Sequence, residues 1–173
     1  MTSAELLVDG FGRIRESVAE VLSGLTPAQL GYRADDSANP VSWLVWHLTR
    51  VQDDHVAAAF GVPQVWSGSG WAARFGLQAD SMETGYGHSA ARVTLIATAL
   101  DSAELLAEYH EATYAQSVRL VSAVTDEDLE RVVDTRWTPH VTLGVRLVSV
   151  LDDDMQHVGQ AAYVRGLVLR AQS

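Results

Sequence analysis

The chain of 173 residues contains no cysteine and no lysine. Without cysteine it can form no disulfide, no thiolate metal site and no cysteine nucleophile, so any thiol chemistry needs a thiol from outside the chain. Positive charge is also scarce, because 12 arginines stand against 22 acidic residues and the formal net charge is -10. This balance argues against nucleic-acid binding driven by phosphate neutralisation, and we expect no nucleic-acid partner.

Long hydrophobic runs are missing as well. No apolar segment approaches the roughly 18 residues that indicate a membrane-spanning helix. The first 19 residues lack the basic start and apolar centre of a signal peptide. The sequence therefore predicts a soluble cytoplasmic protein without a membrane partner. A chain of this length fits one domain, residues 1–173, and can bury a substantial core without disulfides.

Helical periodicity of apolar residues dominates the chain. Spacings of three and four residues predict long helices at residues 3–22, 39–60, 94 or 101 to 124, and 142–170. No run shows the alternation that is typical of a strand. Four long helices indicate an all-α protein, a four-helix bundle with a long connection between its second and third helices.

The connection at residues 61–87 is rich in glycine, serine and aromatic residues and has little periodicity. We expect an ordered loop with about one short turn of helix, because loops this long inside a domain are usually functional or flexible. Its aromatic side chains are predicted to cover the mouth of a site in the bundle: Trp66, Trp71, Phe75 and Tyr86.

Three ionisable residues on predicted apolar helix faces form a candidate metal site. Asp153 and His157 are four residues apart and project from one face of the last helix, while His47 has apolar neighbours in the second helix. Burying such groups is costly unless something pairs with them. Two histidines and a carboxylate are three ligands of the kind that catalytic zinc uses. As an alternative, Asp153 and His157 form an ordinary ion pair within the helix.

The remaining histidines show no ligand-like spacing. His55 falls about 80° around the helix from His47, so we interpret it as a partly exposed helix residue. His110 is predicted to be structural, with a pocket role as the alternative. The chain also lacks a phosphate-binding loop and the nucleophile elbow of serine hydrolases.

Four segments, spread over nearly the whole chain, carry a family pattern: residues 39–47, 84–88, 101–110 and 157–160. Together they resemble the DinB-like superfamily of four-helix bundles, and within it the actinobacterial branch that includes mycothiol-dependent maleylpyruvate isomerases. The resemblance implies a divalent metal, zinc or alternatively nickel, held by His47, Asp153 and His157. The superfamily usually has histidine or glutamate where this chain has Asp153, whose side chain is one methylene shorter than that of glutamate.

The resemblance also implies a thiol S-transferase or isomerase that uses a low-molecular-weight thiol, mycothiol in this branch, as a metal-bound thiolate. A bound divalent cation lowers the pKa of a thiol and so supplies the nucleophile that the chain itself lacks. A small electrophile is the second expected partner. Candidate substrate contacts, with the two arginines facing an anionic group, are Trp43, Arg50, Tyr86 and Arg165.

Two other functions stay open at the level of the sequence. In a non-catalytic bundle that binds a ligand or serves as a structural dimer, the pair Asp153 and His157 would only stabilise the fold. A metal-dependent hydrolase would keep the same ligands and use a bound water in place of a thiolate. Metal content distinguishes the non-catalytic bundle from the two enzymes. Dependence of the activity on a thiol distinguishes the transferase from the hydrolase. We expect a homodimer.

Overall fold

The computed structural model describes residues 1–78 and 82–171, which form eight α-helices, one turn of 3-10 helix and two short strands. The four long helices are α1 (Ser3–Leu22), α3 (Val41–Phe60), α7 (Ala103–Val121) and α8 (Leu143–Ala171). The short ones are α2 (Pro27–Leu30), α4 (Val65–Gly68), α5 (Trp71–Arg74) and α6 (Ala90–Ala99). None of the helices within the described residues is long and apolar enough to cross a membrane.

The long helices pack as a bundle, which confirms the predicted all-α class. Helix α3 contacts α7 and α8, and α1 contacts the same two helices from the other side. Helix α3 is the most enclosed, since every residue from 41 to 53 is buried. A helix that is buried on all sides must satisfy its polar side chains inside the protein. This helix carries His47.

The second half of the chain contains elements that the apolar spacing did not predict. Of the two predicted starts of the third long helix, the one at residue 101 fits, because α6 is a separate helix and α7 begins where the Ser102 Oγ accepts a hydrogen bond from the Leu105 N–H at 3.1 Å. Two short strands, β1 (Val132–Asp134) and β2 (Val141–Thr142), pair antiparallel after the 3-10 turn at Asp128–Glu130 and leave the all-α class unchanged. Strands of three and two residues are too short for alternation to show in a sequence.

The connection after α3 contains two one-turn helices, α4 and α5, where about one was predicted. Three of its aromatic rings, those of Trp66, Trp71 and Phe75, lie 5.2, 5.3 and 6.2 Å from the ring of Tyr109 on α7, centroid to centroid. They therefore fill the core, and they do not cover the mouth of a site as predicted. Residues 79–81 of this connection lie outside the described residues.

His110 lies in the middle of α7 with only 2 % of its surface exposed. Its Nδ1 is 3.0 Å from Oγ1 of Thr49, whose hydroxyl donates to the Val45 carbonyl at 2.8 Å. Because that hydroxyl proton is already used, Nδ1–H of His110 is the donor to Thr49. This hydrogen bond between α3 and α7 gives His110 a structural role.

Stability is expected to fall in mild acid because of His110. Burial lowers the pKa of His110 to about 4, from an ordinary value of 6.5. Between these values the unfolded chain binds a proton that the folded protein does not, so the free energy of unfolding falls as the pH drops. We expect this residue to contribute a loss of about 3 kcal/mol between about pH 7 and pH 4. Urea unfolding at several pH values measures the loss, and an unchanged slope in His110→Asn would contradict its assignment to His110.

Candidate metal centre

His47, Asp153 and His157 come together where the middle of α3 faces α8. One nitrogen or oxygen atom of each residue lies within 4.8 Å of the others, and the two histidine ring centroids are 4.6 Å apart. In the part of the chain that the structure describes, no other group of three such side chains is close enough to hold a metal ion. The fold thus brings together the three residues that the sequence singled out.

The ring of His47 is held in one orientation. Its Nδ1 lies 2.5 Å from the carbonyl oxygen of Thr84, which can only accept, so the proton is on Nδ1 and the lone pair on Nε2 is free for a metal. Trp43 stacks on the same ring at 4.7 Å between centroids. Burial lowers the pKa of His47, while the hydrogen bond to Thr84 opposes this effect. The lowered pKa favours the neutral imidazole that binds metals.

Asp153 and His157 complete the centre from α8. The Nδ1–H of His157 donates to Oε1 of Gln160 at 3.1 Å, which leaves Nε2 as the nitrogen available to a metal. Nε2 of His157 lies 3.7 Å from Oδ1 of Asp153. The second carboxylate oxygen, Oδ2, is buried and has no hydrogen-bond partner among the described residues. Leaving such an oxygen unpaired is costly, and a cation would satisfy it. The three donors therefore fit a divalent metal ion.

The centre opens towards solvent on the α8 side. The side chain of Asp153 is 34 % exposed and that of His157 is 20 % exposed. Catalytic zinc sites keep a position open for water or substrate beside three protein ligands. The exposed side of this centre is where such a fourth ligand can enter.

A second layer of residues, whose supporting role the sequence did not reveal, holds His47 from the segment 82–88. The imidazole of His88 accepts a hydrogen bond from Trp43 Nε1 at 3.4 Å and lies 3.0 Å from a carboxylate oxygen of Glu83. Gly85 has a φ of +100°, and a Cβ atom there would lie 2.8 Å from Nδ1 of His47. Only glycine lets the backbone come this close to the ring.

Arg50 lies inside the protein, one turn after His47. Its Nε donates to the Glu83 carbonyl at 3.0 Å, its Nη1 donates to the Tyr109 hydroxyl at 3.2 Å, and its guanidinium lies 4.8 Å from the centre of the Trp66 ring. The side chain has no exposed surface. The predicted contact with an anionic substrate does not fit this position, and Arg50 instead holds the backbone next to Thr84.

The other predicted substrate contacts have different surroundings. Trp43 is buried and stacked on His47, whereas Tyr86 is 93 % exposed beside Gly85. Arg165 lies about 12 Å along α8 from His157, because helical residues rise 1.5 Å each. Its Nη2 donates to the Ser23 carbonyl at 2.9 Å, which ties α8 to the end of α1. The structure therefore does not bring Arg165 to the metal centre.

Comparison with known proteins shows the family of this chain. The model of the mycothiol S-transferase family matches residues 6–169. Among solved structures, the crystal structure of a conserved protein from Enterococcus faecalis is similar, with 31 % identity, a TM-score of 0.85 and 98 % of each chain covered. Comparison with curated proteins gives no match. The match over nearly the whole chain shows that this protein belongs to the mycothiol S-transferase family, in the DinB-like superfamily.

Proposed function

We propose that this protein transfers a small thiol, mycothiol, to an electrophilic carbon at a divalent metal centre held by His47, Asp153 and His157. The buried and unpaired Oδ2 of Asp153, beside two histidines whose Nε2 atoms are free, is the observation that carries the proposal. The family match supports mycothiol as the thiol. Because the chain has no cysteine, the sulfur must come from outside.

A divalent cation, zinc by its preference for nitrogen and oxygen donors and nickel as the alternative, lowers the pKa of a thiol that binds it. The protein residues set the charge of the site. A histidine that binds a metal through Nε2 keeps one ring proton, which here is donated to Thr84 or Gln160, so both histidines would be neutral ligands. Asp153 adds the single negative charge, so the site keeps net positive charge and favours the anionic form of a thiol.

The transfer forms a bond between the thiol sulfur and the electrophilic carbon. The leaving group departs with the electron pair of the bond that breaks, and the thiol proton passes to solvent. Trp43 and the segment 82–88 cover one side of His47, so both substrates approach from the exposed side near Asp153 and His157. The protein thereby holds sulfur and carbon side by side, which makes the reaction effectively unimolecular.

Metal analysis after loading with zinc or nickel tests the centre. We expect about one metal ion per wild-type chain and a loss of bound metal in His47→Ala and in Asp153→Ala, because three protein ligands are the minimum of such a site. His140→Ala is the matched control, since this histidine is exposed, pairs with the carbonyl of Trp137 and is not part of the centre. A wild-type protein that binds no metal, or a control that loses it equally, would contradict the proposal.

The transfer itself is measured with mycothiol and monochlorobimane, a small uncharged electrophile. We expect the loaded wild-type protein to accelerate formation of the thioether and the two ligand variants to be inactive. Turnover of an ester substrate without thiol, together with no thioether, would instead indicate a hydrolase.

A further inference from the structure

We propose that a groove next to the metal centre binds the electrophile through an uncharged, flat ring system. This inference rests on the proposed function and names the class of its second substrate. The groove has a volume of about 470 Å³ and runs between α8 and the segment that leads into α3. Its walls include Ala34, Ala38, Asn39, Leu44, Tyr163 and Leu167.

The groove starts one helical turn from two of the metal-binding residues. Leu44 precedes His47 by three residues on α3, so the two share a face of that helix. Gln160 lines the groove and also accepts the hydrogen bond from Nδ1 of His157. One turn of helix rises about 5.4 Å, so a ring that lies in the groove can present a substituent to the centre.

The chemistry of the walls selects an uncharged ligand. No charged side chain among the described residues lines the groove, and the polar side-chain groups are the amides of Asn39 and Gln160 and the hydroxyl of Tyr163. Tyr163 stands at the edge with 67 % of its surface exposed and can pack its ring against another ring. Sites of about 300–1,000 Å³ with apolar walls and a few polar groups are typical of small-molecule binding.

One wall of the groove is held in place without a ligand. A side-chain oxygen of Asp35 accepts hydrogen bonds from the backbone N–H groups of Ser37 and Ala38, each at 2.8 Å. Arg33 Nε donates to the Ala38 carbonyl at 2.7 Å. A wall that is already ordered costs little conformational entropy when a ligand binds.

A second cavity, of about 360 Å³, lies near the opposite end of the α3 and α8 surface. It is lined by charged groups, and the carboxylate of Asp134 pairs with Arg136 at 2.8 Å and with Arg146 at 2.9 Å. An apolar ring placed there would remove water from these ions without replacing their hydrogen bonds. The groove at Leu44 and Tyr163 is therefore the better site for a ring.

Binding of Prodan, an uncharged naphthalene dye, to the metal-free protein tests the groove independently of metal and of turnover. We expect saturable binding with increased fluorescence, and an affinity at least about tenfold lower in Leu167→Glu, because a carboxylate in the wall would lose water. Val148→Glu is the control, since Val148 is 60 % exposed on the same helix and outside the groove. Its affinity for Prodan should equal that of the wild type.

Ala38→Trp fills the groove from the opposite wall without adding charge, and it should lose Prodan binding as well. Equal affinity in all four proteins would overturn the inference. So would Prodan binding that disappears as the protein dimerises, because a second copy would then cover the groove.

In the metal-loaded protein, Leu167→Glu and Ala38→Trp should both raise the KM for monochlorobimane at unchanged metal content. An unchanged KM would contradict the assignment of the groove to the electrophile. If Prodan binding is lost in the groove variants but the loaded protein transfers no thiol, the result would contradict the proposed function and still support the groove as a ligand site.

Discussion

Arg50→Met is expected to lower the free energy of unfolding by about 3–5 kcal/mol, because it removes one partner of a buried ion pair. The variant leaves the carboxylate of Asp53 buried without its cation, although the carboxylate still accepts hydrogen bonds from Val65, Trp66 and Tyr109. It also removes the donor to the Glu83 carbonyl. Equilibrium unfolding in urea measures the effect.

Arg119→Met is the matched control, since Arg119 is exposed in the last turn of α7 and its removal should have a small effect. Arg50→Lys keeps the charge but not the planar fork of donors, so we expect an intermediate loss of stability. Equal free energies of unfolding for Arg50→Met and Arg119→Met would show that the buried contacts of Arg50 do not stabilise the fold.

Gly85→Ala is expected to weaken metal binding by about 10–100-fold, the effect typical of losing a group that orients a metal ligand. A Cβ atom at this position would lie 2.8 Å from Nδ1 of His47 and 2.8 Å from Cζ2 of Trp43. The backbone must therefore move away from the ring, and Thr84 then no longer accepts the hydrogen bond that orients His47. Competition with a chromophoric chelator measures the affinity for zinc.

Gly87→Ala separates this contact from backbone strain. Gly87 also has a positive φ, +73°, but nothing among the described residues lies within 4 Å of a Cβ atom built there. Both variants carry the cost of a left-handed alanine, and Gly85→Ala alone collides with the site. Equal affinities for zinc in the two variants would show that the carbonyl of Thr84 does not orient His47.

Arg50→Met and Gly85→Ala both act on the backbone segment 83–85 that orients His47. Arg50 holds the carbonyl of Glu83, the next residue presents its carbonyl to His47, and Gly85 lets the chain pass over the ring. Arg50→Met should therefore also reduce affinity for zinc, whereas Gly85→Ala should reduce it with a smaller loss of stability. Measuring both quantities on both variants distinguishes support of the site from support of the fold.

The sequence by itself determined the helices and the metal-binding candidates of this protein. Apolar spacing is a local property of a helix, so α1, α3 and α8 could be predicted within one or two residues of their ends. Asp153 and His157 share a helix face by their spacing alone, and His47 is marked by its apolar neighbours. The number of long helices predicted the bundle, and the family pattern, which extends over most of the chain, added the thiol.

Only the tertiary structure decided what surrounds the site. Thr84, Gly85 and His88 meet His47 and Trp43 across about 40 residues of chain, and no local pattern encodes such contacts. The sequence predicts that Arg50 faces an anionic substrate group, but in the structure the packing of Trp66 and Tyr109 encloses its side chain. The groove likewise exists only where the segment before α3 meets α8. Helical periodicity is set by neighbours in sequence. The burial of a side chain, and the close contact of a distant segment with it, are set by residues far apart along the chain.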